Sequence, residues 1–316
     1  MSVVCERLIN SFLYYVFVLI LFAVVAAPVP ALAAIEPDFR VALIDRFFPG
    51  ENAFSDPREQ ELDLSLYGMF DLDGDARKEP YYHGDVVRLL ISHPRIAVVP
   101  YVLETGVHNV IAIKRKLELV RRDLFWGEPI SAVLLPWESS TLLMAFDHQL
   151  RPQKVSQYLA MIRDWGEQDP IWHHTFEIIL ILEDLVAMGA RVFTIAGNGG
   201  RRMVNTYSFA EGVITVGAEE RELKHFIADN AFVDTYAPAA YQLRRIDNER
   251  AIPQGYDLDN DGCVDVAIQS LSNQSRLPSL HWKVLKGSSF AAPVALKRAI
   301  LGNYTRRCHR ATLSDR

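Results

Sequence analysis

The stretch FEIILILEDLVAMGARVFTIAGNGG, residues 176–200, joins a long apolar segment to a short one. Residues 176–188 have the length and composition of a buried helix, and Gly189 is a typical residue to end one. Residues 191–195 predict a buried strand, and a glycine-rich loop follows it. A helix that leads directly into a buried strand is the repeating unit of parallel sheets.

Similar units lie on both sides of this stretch. Short apolar runs predict strands at 40–44, 95–99, 132–135, 213–216 and 233–236, and helical spacing occurs at 85–91 and 110–124. Because buried strands alternate with helices, we expect a three-layer α/β/α fold with a mainly parallel central sheet. The sequence shows neither an internal repeat nor a linker, so residues 34–316 are predicted to form a single domain.

The N-terminus predicts an exported protein. Residues 12–27 are an uninterrupted apolar run, and Ala31-Leu32-Ala33 matches the small-x-small pattern of a signal-peptidase site. We therefore expect a signal peptide at 1–33 and a secreted or periplasmic location. The alternative is an uncleaved membrane anchor at residues 12–27, which would tether the protein outside the cytoplasm. An oxidising compartment would permit a Cys263–Cys308 disulfide, but the sequence does not decide whether one forms.

The charge balance does not favour a nucleic-acid partner. The chain of 316 residues has 33 Lys and Arg against 39 Asp and Glu, which gives a net charge of −6. A nucleic-acid binder needs a basic face.

Four polar residues occupy positions where α/β proteins carry chemistry. Asp45 directly follows the first strand, Asn198 follows the strand 191–195, and His83 and Ser289 each begin a helix. A serine hydroxyl becomes a nucleophile when a base takes its proton, a third group orients the base, and donors meet the oxyanion. Ser289 lies in GSSFAAP (287–293), where small residues allow close approach and the helix start offers free N–H groups. These residues predict a serine hydrolase.

Five segments resemble the subtilisin-like serine peptidases (subtilases, peptidase S8), and they occur in that family's order. The segments are HGDVV (83–87), AGNGG (196–200), VITVGA (213–218), VDTYAP (233–238) and GSSFAAP (287–293). The resemblance implies a subtilisin-like fold and an exported serine endopeptidase with a peptide or protein substrate. It also implies roles: Ser289 as nucleophile, His83 as base, Asp45 behind the base, and Asn198 as oxyanion donor.

The chain departs from that family at two places near the predicted site. Arg46 and Phe47 follow Asp45, where the family has Ser or Thr and then Gly, so the hydroxyl that would support Asp45 is missing. Trp137 and Glu138 follow the predicted strand that lines the substrate cleft, and we expect them to bind substrate, with Glu138 favouring a basic residue. The segment before Asp45 leaves no evident pro-segment, and the C-terminus is short. An alternative function is therefore a catalytically weak or inactive subtilase-fold protein that binds or regulates a partner protein.

Two acidic segments predict structural calcium sites, while catalysis needs no cofactor. Asp257, Asp259, Asp261 and Asp265 stand at positions 1, 3, 5 and 9 of a loop with Gly262 at position 6. Asp71, Asp73, Asp75 and Glu79 repeat the pattern more weakly, without that glycine. The alternative for both is a solvated acidic turn. A calcium-dependent adhesion protein would explain these loops but not the four residues above. His173 and His174 are expected at the surface, because adjacent positions do not share a helix face.

Overall fold

A computed structural model describes residues 36–72, 75–270 and 281–302 of the chain. Its main element is a six-stranded sheet in the order β2-β1-β3-β5-β7-β8, in which every neighbouring pair is parallel. The strands are β1 (Phe39–Asp45), β2 (Ile96–Val102), β3 (Ile130–Leu135), β5 (Arg191–Ile195), β7 (Ile214–Ala218) and β8 (Thr235–Ala237). The predicted fold class, with its mainly parallel central sheet, is confirmed.

Strand β1 shows why its sequence is continuously apolar. Val41 and Leu43 point into one hydrophobic core, and Ala42 and Ile44 point into the other, all four fully buried. Successive side chains of a strand leave opposite faces, so a sheet covered on both sides needs apolar residues at every position. The sequence pattern therefore reports two covered faces.

The described ranges contain six helices, and five of them cover the two faces. They are α1 (Pro57–Tyr67), α2 (His83–Ile91), α3 (Asn109–Phe125), α4 (Val155–Gly166), α5 (Pro170–Ala187) and α6 (Ser288–Leu301). Helices α2 and α6 pack together on one face of the sheet, and α3, α4 and α5 pack together on the other. Both α2 and α6 begin at the edge of the sheet where the parallel strands end, which is the edge that carries the predicted site.

Several elements had no counterpart in the sequence prediction. Helix α1 buries none of its residues, so no apolar face marks it. Strands β9 (Ala240–Asp247), β10 (Pro253–Asp257), β11 (Val266–Ala267) and β12 (His281–Lys286) form a four-stranded antiparallel sheet, and β4 (Ser140–Leu142) pairs with β6 (Met203–Asn205). These strands are short or rich in polar residues, unlike the apolar runs of the central sheet.

Within the described ranges, no helix is long and apolar enough to cross a membrane. The predicted signal peptide or anchor lies outside those ranges, and so does Cys308. Cys263 is disulfide-bonded.

Candidate active site

Asp45 and His83 come together because β1 ends against the start of α2. Asp45 is the last residue of β1 and is fully buried, and His83 is the first residue of α2. The Gly84 N–H donates to the Arg46 carbonyl at 2.9 Å. A Cβ at Gly84 would lie only 2.8 Å from that carbonyl oxygen and 2.8 Å from the Asp45 Cβ. The glycine after His83 is therefore what allows the helix to approach the strand so closely.

The two side chains form a hydrogen-bonded pair of the kind that orients a catalytic base. Asp45 Oδ2 lies 2.8 Å from His83 Nδ1, and the His83 side chain keeps 25% of its surface exposed while Asp45 keeps 0%. Burial of the ring lowers the pKa of His83, but the charge of Asp45 and the hydrogen bond to it raise that pKa more, so it ends above its usual value. The pair can hold a proton on Nδ1 and leave Nε2 free to accept another.

Asp45 has two further donors, both at its other oxygen. Oδ1 accepts the backbone N–H of Arg46 at 2.7 Å and the indole N–H of Trp137 at 3.2 Å. The Arg46 side chain turns away from Asp45, with its guanidinium carbon 4.2 Å from the centre of the Tyr67 ring. Trp137, predicted to bind substrate, thus contacts the predicted triad directly.

Asn198 and Ser289 meet at Gly287, the residue before helix α6. A Cβ at Gly287 would lie 3.3 Å from Ser289 Oγ and 3.6 Å from Asn198 Oδ1. Asn198 Oδ1 accepts from the backbone N–H of Ser288 at 2.9 Å and from the Ser288 hydroxyl at 3.1 Å. Because these donors hold the oxygen end of the amide, its NH2 group remains for another acceptor. An oxyanion formed at Ser289 would be such an acceptor.

Ser289 lies in the first turn of α6, where backbone N–H groups have no partner within the helix. The next residue, Phe290, packs its ring 5.6 Å from the His83 ring, centre to centre. In the described part of the chain no hydrogen bond joins Ser289 to His83. Such bonds are often long before substrate binds. The structure therefore places all four predicted residues at one site.

The sequence prediction missed Ser288, which is fully buried. Its hydroxyl donates to Asn198 and also accepts the Gly197 N–H at 3.3 Å. It thereby links the loop at 196–200 to the start of α6. The signal was present in GSSFAAP, where a hydroxyl residue directly precedes Ser289.

Glu138 lies beneath the same loop. Its Oε2 accepts the Asn198 backbone N–H at 2.7 Å and the Ser140 hydroxyl at 2.6 Å. A Cβ at Gly197, which has a φ of 104°, would collide with this carboxylate. One oxygen of Glu138 is thus committed to holding the backbone of Asn198, and preference for a basic substrate residue stays a prediction.

The first acidic loop gathers three of its four predicted ligands. Carboxylate oxygens of Asp257, Asp259 and Asp265 lie within 4.8 Å of one another, and Asp261 is not part of that group. Burial, together with the neighbouring carboxylates, raises the pKa of Asp265 to about 7. Oxygen ligands at this separation fit a hard cation such as Ca²⁺, and calcium binding here stays a prediction.

The second acidic segment is arranged differently. Asp71, Asp75 and Glu79 form no group of this kind in the described ranges, and Asp73 lies outside them. Asp71 accepts the Ala76 N–H at 3.1 Å, and the fully buried Glu79 accepts the Leu72 N–H at 3.4 Å. These carboxylates serve the turn, and a metal role for them stays a prediction.

His173 and His174 lie on α5 and share one partner. His174 Nδ1 is 2.8 Å and His173 Nε2 is 3.7 Å from Glu177 Oε2, which also lies 3.5 Å from Lys114 Nζ. Adjacent positions thus do reach a common carboxylate. Lys114 already supplies a cation to that carboxylate. Of the two histidines predicted at the surface, His173 is exposed and His174 is half-buried.

No protein-family model matches the chain, and no curated protein matches it. Solved structures do match it. A lanthipeptide protease is 16% identical over 84% of this chain and 73% of its own, with a TM-score of 0.45. The prenylagaramide maturation protease PagA is 14% identical over 84% of this chain and 75% of its own, with a TM-score of 0.42. A third is the epidermin leader peptide processing serine protease EpiP from Staphylococcus aureus. It is 12% identical over 82% of this chain and 63% of its own, with a TM-score of 0.44. The chain is similar to these proteases.

Proposed function

We propose that this chain is an exported subtilisin-like serine endopeptidase that hydrolyses peptide bonds through Asp45, His83 and Ser289. The observation that carries the proposal is the 2.8 Å Asp45–His83 pair at the same strand edge as Ser289 and the Asn198 amide. Nucleophile, base, orienting carboxylate and oxyanion donor are the four parts that acyl transfer from a peptide requires.

The geometry supports a two-step reaction. Ser289 Oγ attacks the scissile carbonyl carbon as His83 Nε2 takes its proton, and Asn198 Nδ2 with the Ser289 N–H receive the carbonyl oxygen as it becomes an oxyanion. His83 then gives the proton to the leaving amine as the C–N bond breaks. Water, deprotonated by His83, next attacks the acyl-enzyme and returns the free Ser289 hydroxyl and a carboxylic acid.

Labelling with a fluorophosphonate probe tests this proposal. The probe phosphonylates a serine only when a base activates it, so wild-type protein should be labelled and Ser289→Ala and His83→Ala should not. Ser65→Ala is the matched control, because Ser65 is an exposed serine on α1. Labelling of folded Ser289→Ala at the wild-type rate would refute the assignment.

The alternative is a weak or inactive subtilase-fold protein that binds or regulates a partner. It is favoured by Arg46, whose side chain gives Asp45 no hydroxyl. A folded wild-type protein that the probe leaves unlabelled between pH 6 and 9, while it still binds peptide, would favour this second function.

Export is the remaining part of the proposal. It rests on the apolar run at 12–27 and the Ala31-Leu32-Ala33 site. N-terminal sequencing of the mature protein should begin at Ala34. A membrane fraction that retains residues 12–27 would point instead to the anchored form.

A further inference from the structure

Asp45 is a buried carboxylate that needs more donors than His83 alone supplies. Its side chain is 0% exposed, and it carries the charge that has to face the His83 cation during catalysis. A buried carboxylate holds one orientation when each of its oxygens accepts defined hydrogen bonds. Oδ2 faces His83, so the orientation depends on what Oδ1 accepts.

Position 46 supplies only its backbone to that oxygen. The Arg46 N–H donates to Oδ1 at 2.7 Å, but its side chain lies over Tyr67 and reaches Asn109 Oδ1 at 3.4 Å. A backbone donor on the adjacent residue moves with Asp45 itself. The side-chain donor from elsewhere in the fold is Trp137, whose Nε1 lies 3.2 Å from Oδ1.

Trp137 is well placed to hold Asp45 still. It follows β3, the strand beside β1. Its half-buried ring packs against the hydrophobic core on the face of the sheet that α3, α4 and α5 cover. The ring also meets His83 edge-on, with centres 6.2 Å apart and planes at 61°. An indole N–H can donate a hydrogen bond but cannot accept one. Packing around the ring also leaves the Trp137 side chain few rotamers.

We propose that Trp137 is a positioning residue of the triad: its indole N–H fixes the Asp45 carboxylate in the orientation that His83 requires. The proposal rests on the proposed peptidase function and assigns Trp137 to the catalytic base instead of the substrate cleft. The position after Asp45 is Arg46 and supplies no side-chain hydroxyl. In this proposal the Trp137 N–H, from the end of a neighbouring strand, takes the place of that hydroxyl.

Trp137→Phe keeps an aromatic ring at this position and removes the N–H donor. We expect kcat for a peptide substrate to fall about tenfold, which corresponds to ~1.4 kcal/mol, with KM within about twofold of wild type. Trp172→Phe is the matched control, since Trp172 is also half-buried against the same core and lies on α5. A rise in KM with unchanged kcat would assign Trp137 to substrate binding and overturn the proposal.

NMR tests the contact without any activity, so it separates this proposal from the proposed function. In ¹⁵N-labelled protein, the indole resonance that Trp137→Phe removes should lie downfield and exchange slowly with D2O. Asp45→Asn should shift it, while Trp172→Phe should not. Ser289→Ala serves as an inactive background for a second measurement. When Trp137→Phe is added to it, the chemical shift of the downfield His83 Nδ1 proton should change. An indole proton that exchanges freely and ignores Asp45→Asn would overturn the proposal even if Ser289 is reactive.

Discussion

Asp45→Asn replaces one carboxylate oxygen with an NH2 group of nearly the same size, and the surroundings decide which oxygen is replaced. Oδ1 accepts N–H groups from Arg46 at 2.7 Å and Trp137 at 3.2 Å, so the amide oxygen must take that position. The NH2 group then occupies the Oδ2 position, 2.8 Å from His83 Nδ1. It donates to Nδ1, which forces the ring proton onto Nε2, the atom that must accept the Ser289 proton.

The substituted protein should therefore fold normally and carry its base in the wrong tautomer. A tautomer error of this kind costs a Ser-His-Asp enzyme about 10⁴-fold in kcat, which is ~5.5 kcal/mol of transition-state stabilisation. We expect fluorophosphonate labelling to slow by about the same factor. Asp184→Asn is the control, because it is an equal change at an exposed ion pair with Arg121 on α3.

The titration of His83 provides a second measurement with a defined sign. In the wild type the charge of Asp45 raises the pKa of His83 above its usual 6.5, against burial, which lowers it. The ring's aromatic neighbours Trp137 and Phe290 are uncharged. Asp45→Asn removes the raising effect and leaves burial, so the His83 midpoint, followed by NMR of the ring protons, should fall below 6.5. Labelling within tenfold of wild type, or an unmoved midpoint, would refute the reasoning.

Three further perturbations test the supports of the site. Gly84→Ala places a methyl group 2.8 Å from the Arg46 carbonyl oxygen, so it should lower the thermal midpoint and slow labelling at least tenfold; unchanged labelling would contradict the close approach. Glu138→Gln weakens the acceptor for the Asn198 N–H at 2.7 Å and should lower kcat a few-fold, and it should reduce the predicted preference for Arg over Leu substrates; an unchanged preference would exclude Glu138 from specificity. Calcium bound at residues 257–265 should raise the free energy of unfolding of the protein by ~2.7 kcal/mol at about 100 times its Kd, and a thermal midpoint equal in calcium and chelator would exclude the site.

The sequence predicts the central sheet well because both of its faces are covered. Val41 to Ile44 are apolar at every position, and a buried strand of that kind cannot be mistaken for a surface loop. Helix α1 and strand β9 are not predicted for the opposite reason, since α1 buries nothing and β9 buries only Tyr241 and Leu243. Elements that lie at the surface carry little of the periodicity on which prediction depends.

Some residues of the candidate site can be predicted from the sequence, and others cannot. Asp45, His83, Asn198 and Ser289 are predictable because each lies in a short segment next to glycines or at an element end. The contacts that support them are not, because they join residues far apart in the chain. Trp137 donates to Asp45 across 92 positions, and Ser288 meets Asn198 across 90. No local spacing in a sequence encodes such a pairing.

Arg46 weakens the predicted base less than the sequence alone suggests. From the sequence, a missing hydroxyl beside Asp45 argues for a weakened base. Among the residues that the structure describes, Asp45 Oδ1 already accepts two N–H groups, and only His83 lies at Oδ2. A third donor at Oδ1 would compete for an oxygen that is already satisfied, so the lost hydroxyl is compensated by geometry on a neighbouring strand. The Arg46 side chain lies over Tyr67 instead, so we expect its substitution to leave kcat nearly unchanged.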